Sequence, residues 1–589
     1  MKAGIFFRKF LPLVKLLFIL LTGTSLFSTS LFSKDNRDNK AIAERIAEYA
    51  EKVRQEWKIP GMAISVVKDG ELTLSRGFGV KELATVIYTG SGNKPFTENV
   101  EPLSEMAEKL RVAPENRVDP NTLFHVGSIS KSFTALVMAQ LVDQKLLKWE
   151  DSVSKILPDF QLYDKWVQEN MMVKDIMTHS TGIKGQAGTY IPNLGYVRED
   201  IYKMLPLIKP AYSFRERYEY NNITFIIAAK IIEKLTGKSW EENVRERILI
   251  PLGMNSTILN GKELLSASNK AIPHEFNYSG APVNKSSAQL QLKDTAQLQL
   301  RDSDQSQWKD SLTVTPLYGE DQALHWLTVI GPAGSVISSA NDMAKYASFH
   351  LNRGRVNGKE LLSRESFDFL HKGFTITSQD SARVTMYGHC WFIEQNSRYR
   401  VIFHTGTTWG FTALCAFVPE QNLAITILVN SDQPAVARYA IMRRLIDMYK
   451  GYPERDYSRE YLEEYLKTSR EKRIKSEKER LEAQETKGGN IRIPDFKLLT
   501  GNYDKGELFG KAIITLEDGK LYITVGPQGW KHRLNHSKGD TFRFSSDGHT
   551  FPLTFKFNKN RKRVTALEID FGNEENFGEW RKLRCKKSQ

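Results

Sequence analysis

Strand-forming sequence opens and closes the first 450 residues, and helical patterns fill the middle. Near the start, MAISVVKDGELTLSRGFGV reads as two strands joined at Asp69-Gly70, a dipeptide suited to the tight turn of a β-hairpin. Far downstream, YRVIFHTG, FTALCAFVP and LAITILVNS carry the alternation and β-branched content of three more strands. Helical patterns dominate residues 125 to 250, and further helices are expected over Ser338–Leu351 and 435–450. Another, over 40–57, precedes the first strand and is stopped by Ile59-Pro60-Gly61. Such an order predicts one antiparallel sheet built from both ends of the region, flanked by helices, with a helical lobe made by the middle.

The remaining segments have simpler signatures. Residues 1–33 place Lys2, Arg8, Lys9 and Lys15 around the apolar run Leu16–Leu21 and end in small residues at Ser28, Ser30 and Ser33. That is the layout of a secretory signal peptide, too short in its apolar run for a membrane span, so the mature chain is expected to be secreted or periplasmic; an uncleaved anchor is the alternative. One large folded domain is expected over 38–452, with polar insertions at 90–118 and 280–325. Within the second, AQLQLKDT followed by AQLQLRDS is a tandem duplication, too short for a solenoid and read as a solvated loop or hairpin. Residues 453–492 are rich in charge of both signs and end in Gly488-Gly489, which suits a solvated helical linker better than a coiled coil, because no apolar heptad persists. Residues 493–589 are strand-like with turns at Asp518-Gly519 and Asp547-Gly548, and are expected to form a small antiparallel barrel or sandwich.

A formal charge of +14 raises the question of nucleic acid. The basic residues are spread along the whole chain without an aromatic-interleaved motif, so they are read as a generally basic surface and no nucleic-acid partner is expected. Three cysteines, Cys390, Cys415 and Cys585, lack metal-ligand spacing and are expected to be buried or free thiols, with a Cys390–Cys415 bridge left open.

Three short motifs carry chemistry. Ser128-Ile129-Ser130-Lys131 is S-x-x-K: at helical spacing, Ser128 and Lys131 share a face one turn apart, while Ser130 points elsewhere. A lysine can take a serine's proton only if burial lowers its affinity for protons, and the apolar run from Phe133 onward offers that burial. Tyr220-Asn221-Asn222 supplies a phenol for proton relay and an amide to hold a carbonyl or the lysine. His404-Thr405-Gly406 lies in a strand, where Gly406 would let a substrate lie against the strand edge and the N–H of Thr407 could form half of an oxyanion hole. Taken singly, each has a plainer reading: a helix cap with a surface lysine, a capped core helix, a structural histidine.

Together, in this order and spacing, the motifs resemble those of the penicillin-recognising serine hydrolases. THSTGI (178–183), GPAGSVISSANDMAKYA (331–347), YGHCW (387–391) and the strand ending in LVNS resemble the class C β-lactamase-related family, over about residues 40–450. The C-terminal piece, from TGNYDKGELFGKAIITLEDGKLYI onward, resembles the lipocalin-like β-domain appended to such hydrolases. The resemblance implies a β-lactamase/transpeptidase-like α/β fold and an acyl-enzyme on Ser128, with Lys131 and Tyr220 sharing the proton work. It implies that Asn222, His404, Thr405, Gly406 and Thr407 bind the substrate, that Ser128 and Thr407 N–H groups form the oxyanion hole, and that no metal or cofactor is needed.

The sequence also departs from that family. Histidine at 404 stands where true β-lactamases have lysine, and a neutral imidazole holds a carboxylate poorly. SFRERYEY before Tyr220 lacks the usual Pro-Gly. A small ester, amide or peptide is therefore the expected substrate, ahead of a β-lactam. The competing reading is a degenerate hydrolase serving as an envelope or matrix binding protein.

Overall fold

The structure, a computed structural model, describes residues 38–83, 113–278, 281–282, 308–309, 312–317, 321–485, 494–504, 511–546, 549–570 and 582–588. At its centre is an eight-stranded antiparallel sheet. β1 (Gly61–Lys68) and β2 (Glu71–Gly79) form the N-terminal hairpin. β3 (Thr375–Gln379), β4 (Arg383–Tyr387), β5 (Phe392–Asn396), β6 (Arg400–Thr408), β7 (Phe411–Val418) and β8 (Leu423–Val429) follow as a meander. Across the sheet the order is β3-β4-β5-β6-β7-β8-β1-β2. β1 pairs with β8 from Met62↔Val429 to Lys68↔Leu423, so the two ends of the region do meet in one sheet.

Strand alternation divides the apolar residues between two cores. On one face Met62, Ile64 and Val66 join Ile46 and Ala50 of α1 (residues 38–56) and Trp57 just after it. On the other, Ala63 and Val67 join a larger core built from the lobe, which includes α2 (Ser130–Asp143), α3 (Thr224–Thr236) and α4 (Ala340–Leu351). α5 (Ala435–Lys450) covers the first face with Ala437, Ile441 and Leu445. α2 is buried on all sides from Ser130 to Leu141, so a polar group in its first turn must find its partners inside the protein.

The linker helix α6 (Tyr457–Glu485) is less detached than its charge suggests. Tyr457 is buried, and Tyr461, Leu462 and Tyr465 pack against the first core. Trp57 Nε1 donates to Ser458 Oγ at 3.2 Å. Tyrosines at intervals of four residues make an apolar stripe that the charge count hides.

The C-terminal domain is a closed barrel rather than a sandwich. Its strands are β9 (Gly501–Asp504), β10 (Lys511–Glu517), β11 (Lys520–Val525), β12 (Trp530–Lys538), β13 (Thr541–Ser546), β14 (His549–Phe557), β15 (Val564–Asp570) and β16 (Lys582–Lys587). Each pairs antiparallel with the next, and Tyr503↔Lys587 closes the ring. Ile514, Ile523, Phe542, Phe551, Leu553 and Phe555 are buried and fill it, as side chains do in a barrel of this strand number.

The barrel rests on the helical lobe. At Gly526, in the turn between β11 and β12, an added Cβ would lie 1.5 Å from the Leu194 carbonyl oxygen. A Cβ on Gly195 would meet Gln528, and the ring of Trp530 meets His325 edge-on at 5.2 Å. The apolar interiors of barrel and lobe form one contiguous cluster.

Cys390, Cys415 and Cys585 are buried free thiols, so no Cys390–Cys415 bridge is present. Strand His274–Tyr278 pairs with Leu312–Pro316, so the second insertion leaves and returns as a hairpin. The signal segment, most of the first insertion and the whole of the tandem duplication lie outside the described residues. Among the described residues, no helix is long and apolar enough to cross a membrane.

Gly526→Val puts a side chain where the Leu194 carbonyl sits, and the turn has to withdraw. We expect a loss of about 1–3 kcal/mol and separate calorimetric transitions for barrel and lobe. A single transition at the wild-type midpoint would contradict the docking.

Candidate active site

The surroundings of Ser128 begin with a change of direction. The chain passes from a two-residue strand (Phe124–His125) through the 3-10 turn Gly127–Ile129 into α2, and Gly127 takes φ +53° to do so. Ser128 sits on that turn, partly exposed. Ser130 is fully buried: its hydroxyl donates to Gly127 O at 2.6 Å and accepts from Val336 N at 3.0 Å. Ser130 therefore staples the turn to the strand beside it, and Ser128 is the serine that opens onto the cleft.

Lys131 is 0% exposed although it carries an amine. Its Nζ donates to Asn222 Oδ1 at 2.6 Å and to the Ala333 carbonyl at 3.0 Å, and lies 3.2 Å from Ser128 Oγ. A neutral amine has two hydrogens and one lone pair. With both hydrogens taken by carbonyls, the lone pair is left for the Ser128 hydroxyl. Burial lowers the ammonium pKa to about 7, and among the described residues no carboxylate forms a salt bridge with Lys131 to restore its charge.

Asn222 is committed to the protein on both sides. Its oxygen holds the lysine, while its Nδ2 donates to Gln186 Oε1 at 3.0 Å and to Thr189 Oγ1 at 3.3 Å. Tyr220 lays its ring 4.5 Å from Lys131 Nζ. Its phenol oxygen is buried without a hydrogen-bond partner; burial raises its pKa far above the usual range, and the nearby Ser128 hydroxyl opposes the rise. Burial thus favours the protonated phenol, a group whose chemistry allows it to donate or relay a proton. His179 braces this segment: its Nδ1 accepts from Asn221 N at 3.1 Å, and its ring packs on that of Tyr220 at 4.4 Å.

The third motif lies on an open strand edge. β5 pairs with β6 only as far as Phe403, so the later residues of β6 have no strand on that side. The Ser128 turn fills the gap: a Cβ on Gly406 would lie 1.8 Å from Val126 O, and one on Gly127 would lie 2.8 Å from Thr407 N. Gly406 is thus explained by the approach of the nucleophile turn rather than by room for a substrate. The same approach sets the Thr407 backbone against the turn that carries Ser128.

His404 is almost wholly buried, with both ring nitrogens engaged. Nδ1 donates to Thr405 O at 2.6 Å, which leaves Nε2 to accept from the Tyr387 hydroxyl at 3.2 Å. Burial and the neighbouring Lys131 push its pKa down to about 3, so it is neutral throughout the physiological range. Thr405 points toward Tyr439 on the other face, and Thr407 is exposed.

Ser128, Tyr220, Asn222, His404, Thr405 and Thr407 line a cleft of about 660 Å³, walled by Tyr190, Asn193, Trp326 and Phe392. Sequence reading did not single out Gln186, Thr189, His179, Tyr387 or the Ala333 carbonyl. Three of these, His179, Ala333 and Tyr387, lie inside stretches whose wording did stand out. Gln186 and Thr189 belong to no motif, and only their side-chain chemistry near Asn222 marks them. Among the described residues no group of three His, Cys, Asp or Glu could hold a metal.

Gly406→Ala sets a methyl group against the Val126 carbonyl and forces β6 away from the Ser128 turn. Reactivity of Ser128 toward a fluorophosphonate should fall about 100-fold, the scale of one lost oxyanion donor, with the far-UV circular dichroism unchanged. Wild-type reactivity would refute this account of the glycine.

Comparison with known proteins agrees with this geometry. The β-lactamase family model matches residues 49–447. Unguisins hydrolase ungD' of Aspergillus campestris (strain IBT 28561) is 26% identical over 429 residues, 71% of this chain and 67% of the relative. Unguisins hydrolase ungD of Aspergillus violaceofuscus (strain CBS 115571) is 24% identical over 421 residues, covering 68% and 63%. Protein flp of Staphylococcus aureus (strain MW2) is 21% identical over 412 residues, 67% of each chain. The chain thus spans about two thirds of these relatives' length. The octameric penicillin-binding protein homologue from Pyrococcus abyssi shares the fold, with TM-score 0.51 at 20% identity, over 92% of this chain and 99% of that one. With a β-lactamase domain over most of its length and the matching sheet and lobe, the chain belongs to the β-lactamase family of serine hydrolases.

Proposed function

We propose that the chain is an exported serine hydrolase that cleaves an ester or amide, peptides included, through an acyl-enzyme on Ser128. The observation that carries this reading is the buried Lys131, whose Nζ lies within hydrogen-bond distance of Asn222 Oδ1, the Ala333 carbonyl and Ser128 Oγ at once. In the proposed first step the electron pair of Ser128 Oγ attacks the substrate carbonyl carbon and its proton passes to Lys131 Nζ. The N–H groups of Ser128 and Thr407 receive the oxyanion. Collapse expels the alcohol or amine, which takes the proton from Lys131 by way of the Tyr220 phenol. Water then attacks the acyl-enzyme with Lys131 again as base, and Ser128 is regenerated.

The substrate class follows from His404. A neutral imidazole with both nitrogens engaged offers no cation to a substrate carboxylate, which favours esters and amides lacking one over β-lactams. The curated relatives named as hydrolases of unguisins are consistent with amide or ester cleavage. Export rests on the basic, apolar and small-residue order of residues 1–33.

A fluorophosphonate probe applied to fractionated cells should label the chain outside the cytoplasm, and Ser128→Ala should abolish labelling. A folded wild type that takes no label would favour a binding protein over a hydrolase. On one preparation, p-nitrophenyl esters should turn over faster than nitrocefin; equal rates would overturn the substrate ranking.

The pH dependence has a definite sign. Lys131 acts only when neutral and its pKa lies at about 7, so kcat/KM should fall about tenfold per unit below pH 7 and level off above it. His404, neutral down to about pH 3, should add no second limb in this range. A rate that is flat from pH 5 to 8 would exclude Lys131 as the base.

A further inference from the structure

The charge along the cleft wall is unbalanced. Asp432 is the only acidic side chain among the residues lining it, and neither lysine nor arginine lines it, among the described residues. The carboxyl is half-buried and forms no salt bridge with a described residue. Its Oδ1 accepts from Phe276 N, and its own N–H donates to His274 O at 3.3 Å.

The segment that holds Asp432 also holds Trp409. His274 N donates to Gly410 O at 3.1 Å, in the turn that follows Trp409, and a Cβ on Gly410 would meet Pro273 and His274. His274 is itself fixed, its Nδ1 lying 2.8 Å from Asn430 O. A carboxylate three residues past the end of β8 and an indole two residues past Thr407, both lining the cleft, are thus set by one stretch of backbone. Burial raises the Asp432 carboxyl pKa and nearby Glu275 adds to the rise, while the Phe276 amide opposes it; a bound cation would relieve the penalty.

We propose that Asp432 and Trp409 form a subsite for a cationic group, an ammonium or guanidinium carried by the substrate. The carboxylate supplies charge and the indole face supplies cation–π attraction. This deepens the hydrolase reading and rests on it: the substrate is an ester or amide with a positive charge near the scissile carbonyl, where family members with a third-motif lysine accept a negative one.

The test compares two series of p-nitrophenyl esters, ω-trimethylammonio alkanoates of graded chain length and their neutral tert-butyl isosteres. For the best chain length, wild type should favour the cationic ester in kcat/KM by about tenfold, with the advantage shrinking as salt rises. Asp432→Asn should remove that preference while leaving the neutral ester and fluorophosphonate labelling within about twofold. Equal rates for both series on a labelled wild type would overturn the subsite and leave the hydrolase reading standing. Loss of the neutral-ester rate in Asp432→Asn would also overturn it, because Asp432 would then be supporting the fold of the cleft. A wild type without label or turnover would overturn both readings.

Discussion

Everything at the centre of this molecule depends on keeping one amine inside the protein without a counter-ion. Lys131 stands in the first turn of a helix buried on every side, and carbonyl groups, not carboxylates, receive its hydrogens. A carboxylate at either position would hold the proton on the amine and silence it as a base. The surroundings are arranged to avoid that. Asn222 is an amide, and its orientation is held in turn by Gln186 and Thr189. Ala333 contributes its backbone, and aromatic rings of Tyr220 and Phe225 close over the remaining space. The rest of the lobe can be understood as the packing needed to hold these groups dry.

The same logic extends to the strand edge. β6 carries a neutral histidine whose nitrogens are absorbed by Tyr387 and its own strand, so the cleft gains no positive charge from the third motif. A charged side chain there would sit close to Lys131 and depress its basicity further. Among the described residues Asp432 is the only acid lining the cleft, and it forms no ion pair with the lysine.

Much of this was legible in the sequence, for identifiable reasons. Ser128 and Lys131 are three residues apart on one helical turn, so spacing alone relates them, and the apolar run after Phe133 announces the burial. The paired ends of the sheet follow from strand alternation at 61–79 and 400–429. What was not legible depends on contacts between distant segments. The reason for Gly406 is the carbonyl of Val126, 280 residues earlier, and no local pattern states that. Tyr387 reaches His404 across the one intervening strand, β5, and Asp432 lies three residues past a strand end, a place where polar residues are ordinary. The stripe of Tyr457, Tyr461 and Tyr465 was masked by the charges around it.

The seating of the barrel has a consequence for any dissection of this protein. Leu194 and Gly195, against which the β11–β12 turn rests, directly follow Tyr190 and Asn193 of the cleft wall, and His325 precedes Trp326. Trp326 in turn donates to the Thr189 carbonyl, and the Thr189 hydroxyl steadies Asn222. A chain cut after α5 would retain the serine, the lysine and the whole sheet, yet its cleft rim would end in a naked apolar face. Kinetic constants measured on such a fragment would describe an enzyme with a different mouth.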